Sequence, residues 1–265
     1  MNKIIMLGTG HGGVTDLYNT CFVLKNGNKH LLVDTGGGIE IIKRLRLKGY
    51  NLSDIHDVFI SHCHTDHLFG LIWILKKLSI MYQNGYTGEF NIYCNKEVAN
   101  AIKELATLVI QTSFIEALKP HIRIHILENN EKVNIAGFDI HFFDLYSSDK
   151  TIYGFDTTLD NGKKLVFLGD IPCNATLYNK IKHSDYVMLE AYCLDSENYK
   201  FKAYEKGKYT VKSVCQEMNN LDIKNLILYH TEDTHVNKKE LYTKEGKMYF
   251  VNNIIVPNDM EEIDL

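Results

Sequence analysis

The sequence predicts an α/β fold in which two mixed β-sheets face each other and helices cover the outer faces. Two features favour it: each half of the chain starts with successive strands, and each half finishes in alternating strands and helices. In addition, no low-complexity linker divides the 265 residues, which favours a single domain over residues 1–265.

The first half contains five predicted strands and three helical stretches. Short apolar runs bounded by glycine and asparagine predict strands at residues 3–7, 20–24, 30–34, 57–61 and 90–94. Helices are predicted over residues 39–48 and 68–81, and one or two helices over residues 95–118. The strand at 57–61 leads the chain directly into the sequence SHCHTDH.

The second half predicts five further strands before helices begin to alternate with strands. These five strands are RIHIL, KVNIA, FDIHFFDL, TIYGFDTTL and KLVFLGD. Gly137 and the sequence DNGK at 160–163 supply the turns of two hairpins. The strands DYVMLEA and NLILYH then alternate with helices predicted near 175–181, 211–219 and 238–247, and the last helix completes the chain.

The composition is that of an ordinary globular protein, with 45% hydrophobic and 23% charged residues. The formal net charge of −4 gives no basic excess, which argues against a dedicated nucleic-acid binder. A local groove could still bind phosphate. Nucleic acid is therefore a disfavoured partner.

Three features predict a cytoplasmic protein. The six cysteines are scattered and form no C-x-x-C pair, so we expect reduced thiols. The sequence MNKIIMLGTG becomes glycine-rich after a very short apolar run and lacks the h-region of a signal peptide. No stretch approaches the length of a membrane span, so we expect no membrane partner.

The sequence SHCHTDH concentrates metal-binding side chains in His62, His64, Asp66 and His67. Imidazole and carboxylate groups suit zinc, iron or manganese. Side chains two residues apart in an extended segment point to the same side, so His62 and His64 can share one ion. Asp66 and His67 start the following helix and can serve a second ion nearby. The alternative is a polar helix cap, with Asp66 as the capping residue and solvated histidines.

The pattern H-x-H-x-D-H resembles the signature of the metallo-β-lactamase superfamily. The sequences LLVDTGGG, FLGD and LILYHTED are similar to further motifs of that superfamily. LGTG, NTCFVL and LEAYC most resemble its ribonuclease Z branch. The resemblance implies a four-layer αββα sandwich, a metal site at one edge between the sheets, and a metal-dependent hydrolase.

The resemblance also implies roles for residues outside the histidine cluster. Asp170 would bridge two metals and His230 would be the last ligand, whereas Asp34 would orient a ligand histidine and Glu190 would support the site. Taken alone, Asp170 could be a turn residue and His230 a hydrogen-bonded strand-end histidine. The implied cofactor is one or two divalent ions, with zinc favoured over iron or manganese. Asp66 would also be catalytic, by orienting the attacking water.

One position departs from the superfamily pattern. Tyr146 stands where the superfamily has another histidine ligand, in the stretch FFDLYSSDKTIYGF. His141 lies upstream within a predicted strand, so we do not assign it to the site. A phenol has a pKa near 10 and binds metal at neutral pH only if the metal lowers that value. Tyr146 is therefore either a conditional ligand or the wall of an aromatic pocket.

A second departure lies in the sequence EKGKYTVKS. The ribonuclease Z branch has a histidine at the position of Lys208 or Gly207, which would act as a general acid or stabilise the transition state. Lys208 could supply positive charge there instead, but the sequence favours a surface lysine.

The substrate is less constrained than the reaction. We expect a small phosphodiester or another ester-like small molecule. Enzymes of this superfamily that process transfer RNA carry a long glycine- and proline-rich arm, and no such segment lies between Asp170 and His230. The alternative is a degenerate member that binds metal or ligand without turnover, as Tyr146 and the missing downstream histidine suggest. A homodimer is the commonest assembly for a protein of this kind.

Overall fold

The computed structural model describes residues 2–265, and Met1 lies outside them. Within this range the strands are β1 Asn2–Gly8, β2 Cys21–Asn26, β3 Lys29–Val33, β4 Asp57–Ile60, β5 Phe90–Cys94, β6 Ile122–Ile126, β7 Lys132–Ile135, β8 Phe138–Asp144, β9 Tyr153–Thr158, β10 Lys164–Phe167, β11 Tyr186–Glu190, β12 Asn225–Tyr229, β13 Asn253–Ile255 and β14 Glu262–Asp264. The helices are α1 Glu40–Leu47, α2 Thr65–Gln83, α3 Lys96–Val109, α4 Thr112–Leu118, α5 Tyr178–Ile181, α6 Asn198–Phe201, α7 Val211–Asn219 and α8 Lys238–Gly246.

The two sheets repeat one pattern of strand pairing. The first sheet has the order β14-β1-β2-β3-β4-β5-β6, and the second has the order β13-β12-β11-β10-β9-β8-β7. In the first sheet β14 to β3 pair antiparallel and β3 to β6 pair parallel. In the second sheet β7 to β10 pair antiparallel and β10 to β13 pair parallel. Each parallel half is connected through helices, as parallel strands require.

Aromatic side chains fill the space between the two sheets. Phe59 lies 4.8 Å from Phe142 and 5.8 Å from Phe155 between ring centroids, and Phe155 stacks on Phe167 at 5.2 Å. All four rings are buried. Separate apolar clusters join the first sheet to α1–α4 and the second sheet to α5, α7 and α8. The layers are therefore helix, sheet, sheet and helix.

The predicted fold class is confirmed, and most predicted elements lie within two residues of their observed bounds. Residues 95–118, predicted as one or two helices, form two, because Ile110 adopts an extended backbone between α3 and α4. The prediction that the last helix completes the chain is wrong. Two strands of three residues each, β13 and β14, follow it and pair with distant strands. Such short strands lack a readable alternation, and only their long-range partners define them.

The core between the two sheets is shared by both halves of the chain, as a single domain requires. The single domain over residues 1–265 stays a prediction. In residues 2–265 the six cysteines are unpaired. Over the same residues, no helix combines the length and the apolar character needed to cross a membrane.

The carboxyl ends of the parallel strands meet at one edge between the sheets. Asp34 follows β3 and the histidine cluster follows β4 in the first sheet. In the second sheet Asp170 follows β10, Glu190 ends β11, and His230 follows β12. Ligand sites of open α/β sheets lie at this end of the strands. The fold thus brings five separate segments of sequence to one place.

Candidate metal centre

Two histidines follow strand β4 at this edge. His62 is fully buried, and its Nδ1 lies 3.0 Å from the hydroxyl oxygen of Ser61. Its Nε2 lies 2.9 Å from Nδ1 of His64, which continues the extended segment. The two ring nitrogens therefore face one point, and we call His62 and His64 the first set.

Asp66 and His67 lie in the first turn of α2 and meet His230 from the second sheet. The Oδ2 atom of Asp66 is 3.3 Å from Nε2 of His67 and 3.4 Å from Nε2 of His230. The N-cap residue of α2 is His64, so the alternative of Asp66 as a helix cap does not fit. We call Asp66, His67 and His230 the second set.

Asp170 lies between the two sets. Its Oδ1 is 3.7 Å from Nε2 of His62, and its Oδ2 is 3.6 Å from Nε2 of His230. The side chain is only 4% exposed. One carboxylate oxygen therefore faces each set, which is the arrangement that a bridging ligand needs.

Buried carboxylates hold the histidines of the second set from behind. Asp34 accepts a hydrogen bond of 2.8 Å from Nδ1 of His67, and Glu190 accepts one of 2.9 Å from Nδ1 of His230. Each contact directs the Nε2 atom toward the centre, as carboxylate partners of metal-binding histidines do. Asp34 and His230 both have positive φ angles, 55° and 56°. Backbone strain of this kind concentrates at functional sites.

The chemistry of these side chains fits a divalent metal. Donor atoms lie within 4.8 Å of one another in three groups, which are His62, His67 and Asp170; Asp66, His67 and His230; and Asp170, Glu190 and His230. Among residues 2–265, the buried Nε2 of His67 and Oδ1 of Asp170 find no hydrogen-bond partner. Buried polar atoms are rarely left without a partner, so these two atoms indicate a ligand at the centre. Imidazole and carboxylate donors suit zinc, iron or manganese.

The protonation of these groups depends on their burial and their neighbours. Burial, together with His67, lowers the pKa of His62 well below its ordinary value, which keeps its imidazole neutral. Burial alone would also lower the pKa of His67, but Asp66 and Asp34 raise it well above its ordinary value. Burial would raise the carboxyl pKa of Asp66, but His67 and His230 lower it below its ordinary value. Asp66 is therefore ionised at neutral pH.

Tyr146 lies on the loop after β8 and is 52% exposed. Its φ angle is 59°, and its backbone N–H donates to Oδ1 of Asp144 at 2.7 Å. On the same loop, Oδ2 of Asp149 lies 3.6 Å from Nε2 of His64. His141 lies within β8, and its Nδ1 is 3.1 Å from Oδ2 of Asp156, away from the two sets. The role of Tyr146 as ligand or pocket wall stays a prediction.

Lys208 is not the surface lysine that the sequence favours. Its side chain is 22% exposed and reaches the metal centre, where Nζ lies 3.1 Å from Oδ2 of Asp170 and 3.0 Å from Oε2 of Glu190. The expectation was wrong because the preceding glycine and two lysines indicate a solvated loop. The two buried carboxylates that attract the ammonium are distant in sequence.

The sequence predictions also missed His11. Its Nε2 lies 3.1 Å from Oε1 of Glu232, and its ring packs 4.6 Å from the ring of Tyr192. The ring of His230 is 6.1 Å away. The neighbouring Gly12 has no side chain because a Cβ there would meet the carboxylate of Asp66 at 3.0 Å. The sequence GTGHGG was the available signal, since a histidine within a glycine-rich loop can approach other backbone and side chains closely.

Comparisons with known proteins identify the family. The model of the family described as anti-Pycsar protein Apyc1 matches residues 2–256. The chain belongs to this family. Ribonuclease Z of Archaeoglobus fulgidus is 21% identical in an alignment that covers 97% of this chain and 96% of that protein.

Two solved structures share the fold over the whole chain. The metallo-β-lactamase fold protein YhfI of Bacillus subtilis superimposes with a TM-score of 0.76 at 17% identity, over all of both chains. Yeast PDE1 superimposes with a TM-score of 0.73 at 14% identity, over 100% of this chain and 99% of that one. The predicted metallo-β-lactamase fold, close to the ribonuclease Z-like branch, is confirmed. The prediction of a metal-dependent hydrolase is also confirmed.

Proposed function

We propose that the protein hydrolyses a small phosphodiester and uses one or two divalent ions, with zinc as the favoured metal. The observation that carries this proposal is the position of Asp170, whose two carboxylate oxygens face the two sets of donors at 3.7 and 3.6 Å. A pair of ions that share one bridging carboxylate suits in-line displacement at phosphorus, because both the attacking and the leaving oxygen are stabilised.

The residues divide between the two ions. His62, His64 and one oxygen of Asp170 would hold the first, and the second set with the other oxygen of Asp170 would hold the second. When bound, such ions polarise a phosphoryl oxygen and lower the pKa of a water molecule toward about 7.

Asp66 is the catalytic carboxylate in this proposal. Its carboxylate accepts a hydrogen bond from the attacking water and orients it, in addition to binding metal. Gly12 packs against this carboxylate and limits its movement. Asp66 therefore serves both as a ligand and as the group that aligns the nucleophile with the phosphorus atom.

A small substrate is favoured over transfer RNA. Between Asp170 and His230 the chain forms α5, β11, α6, α7, β12 and their connections, without an extended arm among the described residues. The net charge of −4 would also repel a long polyanion. Yeast PDE1, whose name indicates a phosphodiesterase, shares the fold and supports this substrate class. We further propose a cytoplasmic location. We also propose a homodimer, and size-exclusion chromatography with light scattering would test this assembly.

The direct test is hydrolysis of bis(p-nitrophenyl) phosphate by protein that has been stripped with chelator and then refilled. We expect turnover only after addition of zinc, manganese or ferrous iron. Cyclic nucleotides, dinucleotides, a lactone, a thioester and precursor transfer RNA complete the panel. Faster turnover of the precursor RNA than of every small phosphodiester would contradict the substrate proposed here.

The alternative function is metal or ligand binding without turnover. Tyr146 favours it, because this position lacks the expected imidazole and its side chain is half exposed. Metal-loaded protein that cleaves no member of the panel would support this alternative.

A further inference from the structure

Lys208 introduces a fixed positive charge beside the candidate metal centre. Its Nζ lies 3.1 Å from Oδ2 of Asp170 and 3.0 Å from Oε2 of Glu190, and it also donates to the backbone carbonyl of Asp170 at 2.5 Å. The backbone holds the residue in place, since the N–H of Lys208 donates to Ala203 at 2.8 Å. The N–H of Tyr209 lies 3.4 Å from Oε1 of Glu190. The ammonium is therefore part of the site and is tethered on both sides.

The ammonium lies between two buried carboxylates, those of Asp170 and Glu190. Glu190 is fully buried and Asp170 is 3% exposed. Two buried carboxylates this close would be costly without a cation between them. The lysine supplies that cation before any metal binds.

The ammonium occupies a place where donor atoms for a metal converge. Donors of Asp170, Glu190 and His230 lie within 4.8 Å of one another, and Lys208 contacts two of these three residues. The oxygen that it contacts on Asp170 is Oδ2, which faces Nε2 of His230 at 3.6 Å. The other oxygen, Oδ1, faces His62 and has no hydrogen-bond partner within the part of the chain that the structure describes. Of the two carboxylate oxygens of Asp170, Lys208 therefore contacts Oδ2, which faces the second set.

We propose that Lys208 acts as a resident cation that weakens divalent-metal binding at the second set. This inference rests on the proposed metal centre. Two effects carry it. The ammonium draws charge from Oδ2 of Asp170, which the second ion also needs. It also repels a doubly charged ion, and this repulsion is poorly screened in a buried site. The first set uses Oδ1 of Asp170, which faces His62, so its metal affinity should be lowered less.

The competing hypothesis is that Lys208 strengthens metal binding. An ammonium that only orients Asp170 and Glu190 would preorganise the ligands and strengthen metal binding, as supporting residues of metal sites do. The two ideas predict opposite changes in affinity when the charge is removed, so a binding measurement separates them without reference to turnover.

The experiment measures zinc affinity in Lys208→Gln, which removes the charge but keeps a hydrogen-bond donor. Two backgrounds isolate the two sets. In His64→Ala the second set is left intact, and in Asp66→Ala the first set is left intact. Affinity is measured by competition with a chromophoric chelator, and the number of ions per chain by mass spectrometry. Lys202→Gln is the matched control, because this lysine lies on the same segment, is 62% exposed and pairs with Glu205 at 3.7 Å.

We expect Lys208→Gln to bind zinc at least about tenfold more tightly in the His64→Ala background, a change of about 1.4 kcal/mol. In the Asp66→Ala background the change should be less than about threefold, because the first set uses Oδ1 of Asp170, whereas Lys208 contacts Oδ2. In the Lys202→Gln control it should also be less than about threefold, because the charge of this exposed lysine is screened. Equal tightening in both backgrounds, or weaker binding in the His64→Ala background, would overturn the proposal. Parent protein that binds no zinc would instead contradict the metal centre itself.

A second measurement keeps the proposal testable if Lys208→Gln is less stable than the parent. Thermal unfolding is recorded with and without zinc for the parent and for Lys208→Gln. Because the glutamine leaves Asp170 and Glu190 without a cation, the metal-free variant should unfold at a lower temperature. Zinc should then raise its unfolding temperature by more than it raises that of the parent. An equal or smaller rise in the variant would contradict the resident-cation role.

Discussion

The two sets of metal-binding side chains differ in what lies behind them. In the second set, His67 and His230 each donate from Nδ1 to a buried carboxylate, at 2.8 and 2.9 Å. In the first set, Nδ1 of His62 contacts a serine hydroxyl instead. His64 is more open still, because its side chain is 42% exposed and its outer nitrogen lies 3.6 Å from an exposed aspartate, Asp149.

This difference separates preorganised from adaptable ligands. Buried carboxylates fix the tautomer and the orientation of the second-set imidazoles before a metal arrives. The first set has no comparable support on the His64 side, where the loop that carries Tyr146 is exposed. We therefore expect substitutions around the second set to have the larger effects on binding and on activity.

The largest expected effect is that of Asp66→Ala on turnover. The variant removes a second-set ligand and the group that aligns the water, so kcat for bis(p-nitrophenyl) phosphate should fall by about 10³-fold. Asp149→Ala, which changes the exposed side of the first set, should lower kcat by less than about tenfold. Unchanged turnover in Asp66→Ala would mean that the activity arises elsewhere or from a contaminant.

Behind strand β12 the chain buries a lysine, Lys238, whose charge should cost stability. Lys238 is 4% exposed and donates to the hydroxyls of Thr9 at 3.1 Å and Thr231 at 2.9 Å. Burial lowers its pKa from the ordinary 10.5 to about 8. The unfolded chain therefore binds more protons between these values, so stability should rise as pH increases from about 8 to 10.5.

Lys238→Met tests this pH dependence. The free energy of unfolding of the parent should gain about 3 kcal/mol relative to the variant between pH 7 and pH 10.5, because the variant has no proton to lose. Urea unfolding of both proteins at several pH values measures the difference. A difference that is independent of pH would show that Lys238 stays charged in the folded protein.

Removal of one supporting carboxylate should weaken metal binding at the second set. In Asp34→Asn the amide can no longer stabilise the imidazole of His67 by charge, so zinc affinity should fall by about 10 to 100-fold. Asp149→Asn makes the same chemical change beside His64 and should alter the affinity by less than about threefold. Equal losses in the two variants, measured by chelator competition, would contradict the difference between the sets.

The smallest expected effect is a gain of affinity at the first set. Tyr146→His supplies the imidazole that this position lacks, so the first set should bind zinc about tenfold more tightly. With the parent, we expect the second set to fill first and the two sets to show unequal occupancy. Two equivalents released by chelator with the same affinity in parent and variant would rule out a weakened first set. With ferric iron, a tyrosinate charge-transfer band in the parent would instead identify Tyr146 as a phenolate ligand.

The sequence alone determined the fold class and the convergence of most site residues. Apolar strands that end in His62, Asp170 and His230 place these residues at strand ends, and parallel strands bring such ends to one edge. The spacing of His62 and His64 sets their common direction, because the period of an extended chain is two residues. These are local properties of neighbouring residues, so a sequence can specify them.

Only the tertiary structure decided the remaining features, because they depend on partners far apart in the chain. Strand β14 exists through its pairing with β1, at the opposite end of the sequence. The approach of His11 to His230 depends on the position of a glycine-rich loop against the second sheet. Lys208 looks like a surface residue until Asp170 and Glu190 are brought beside it. A side chain's charge environment is set by whatever the fold packs around it, and no local pattern specifies those neighbours.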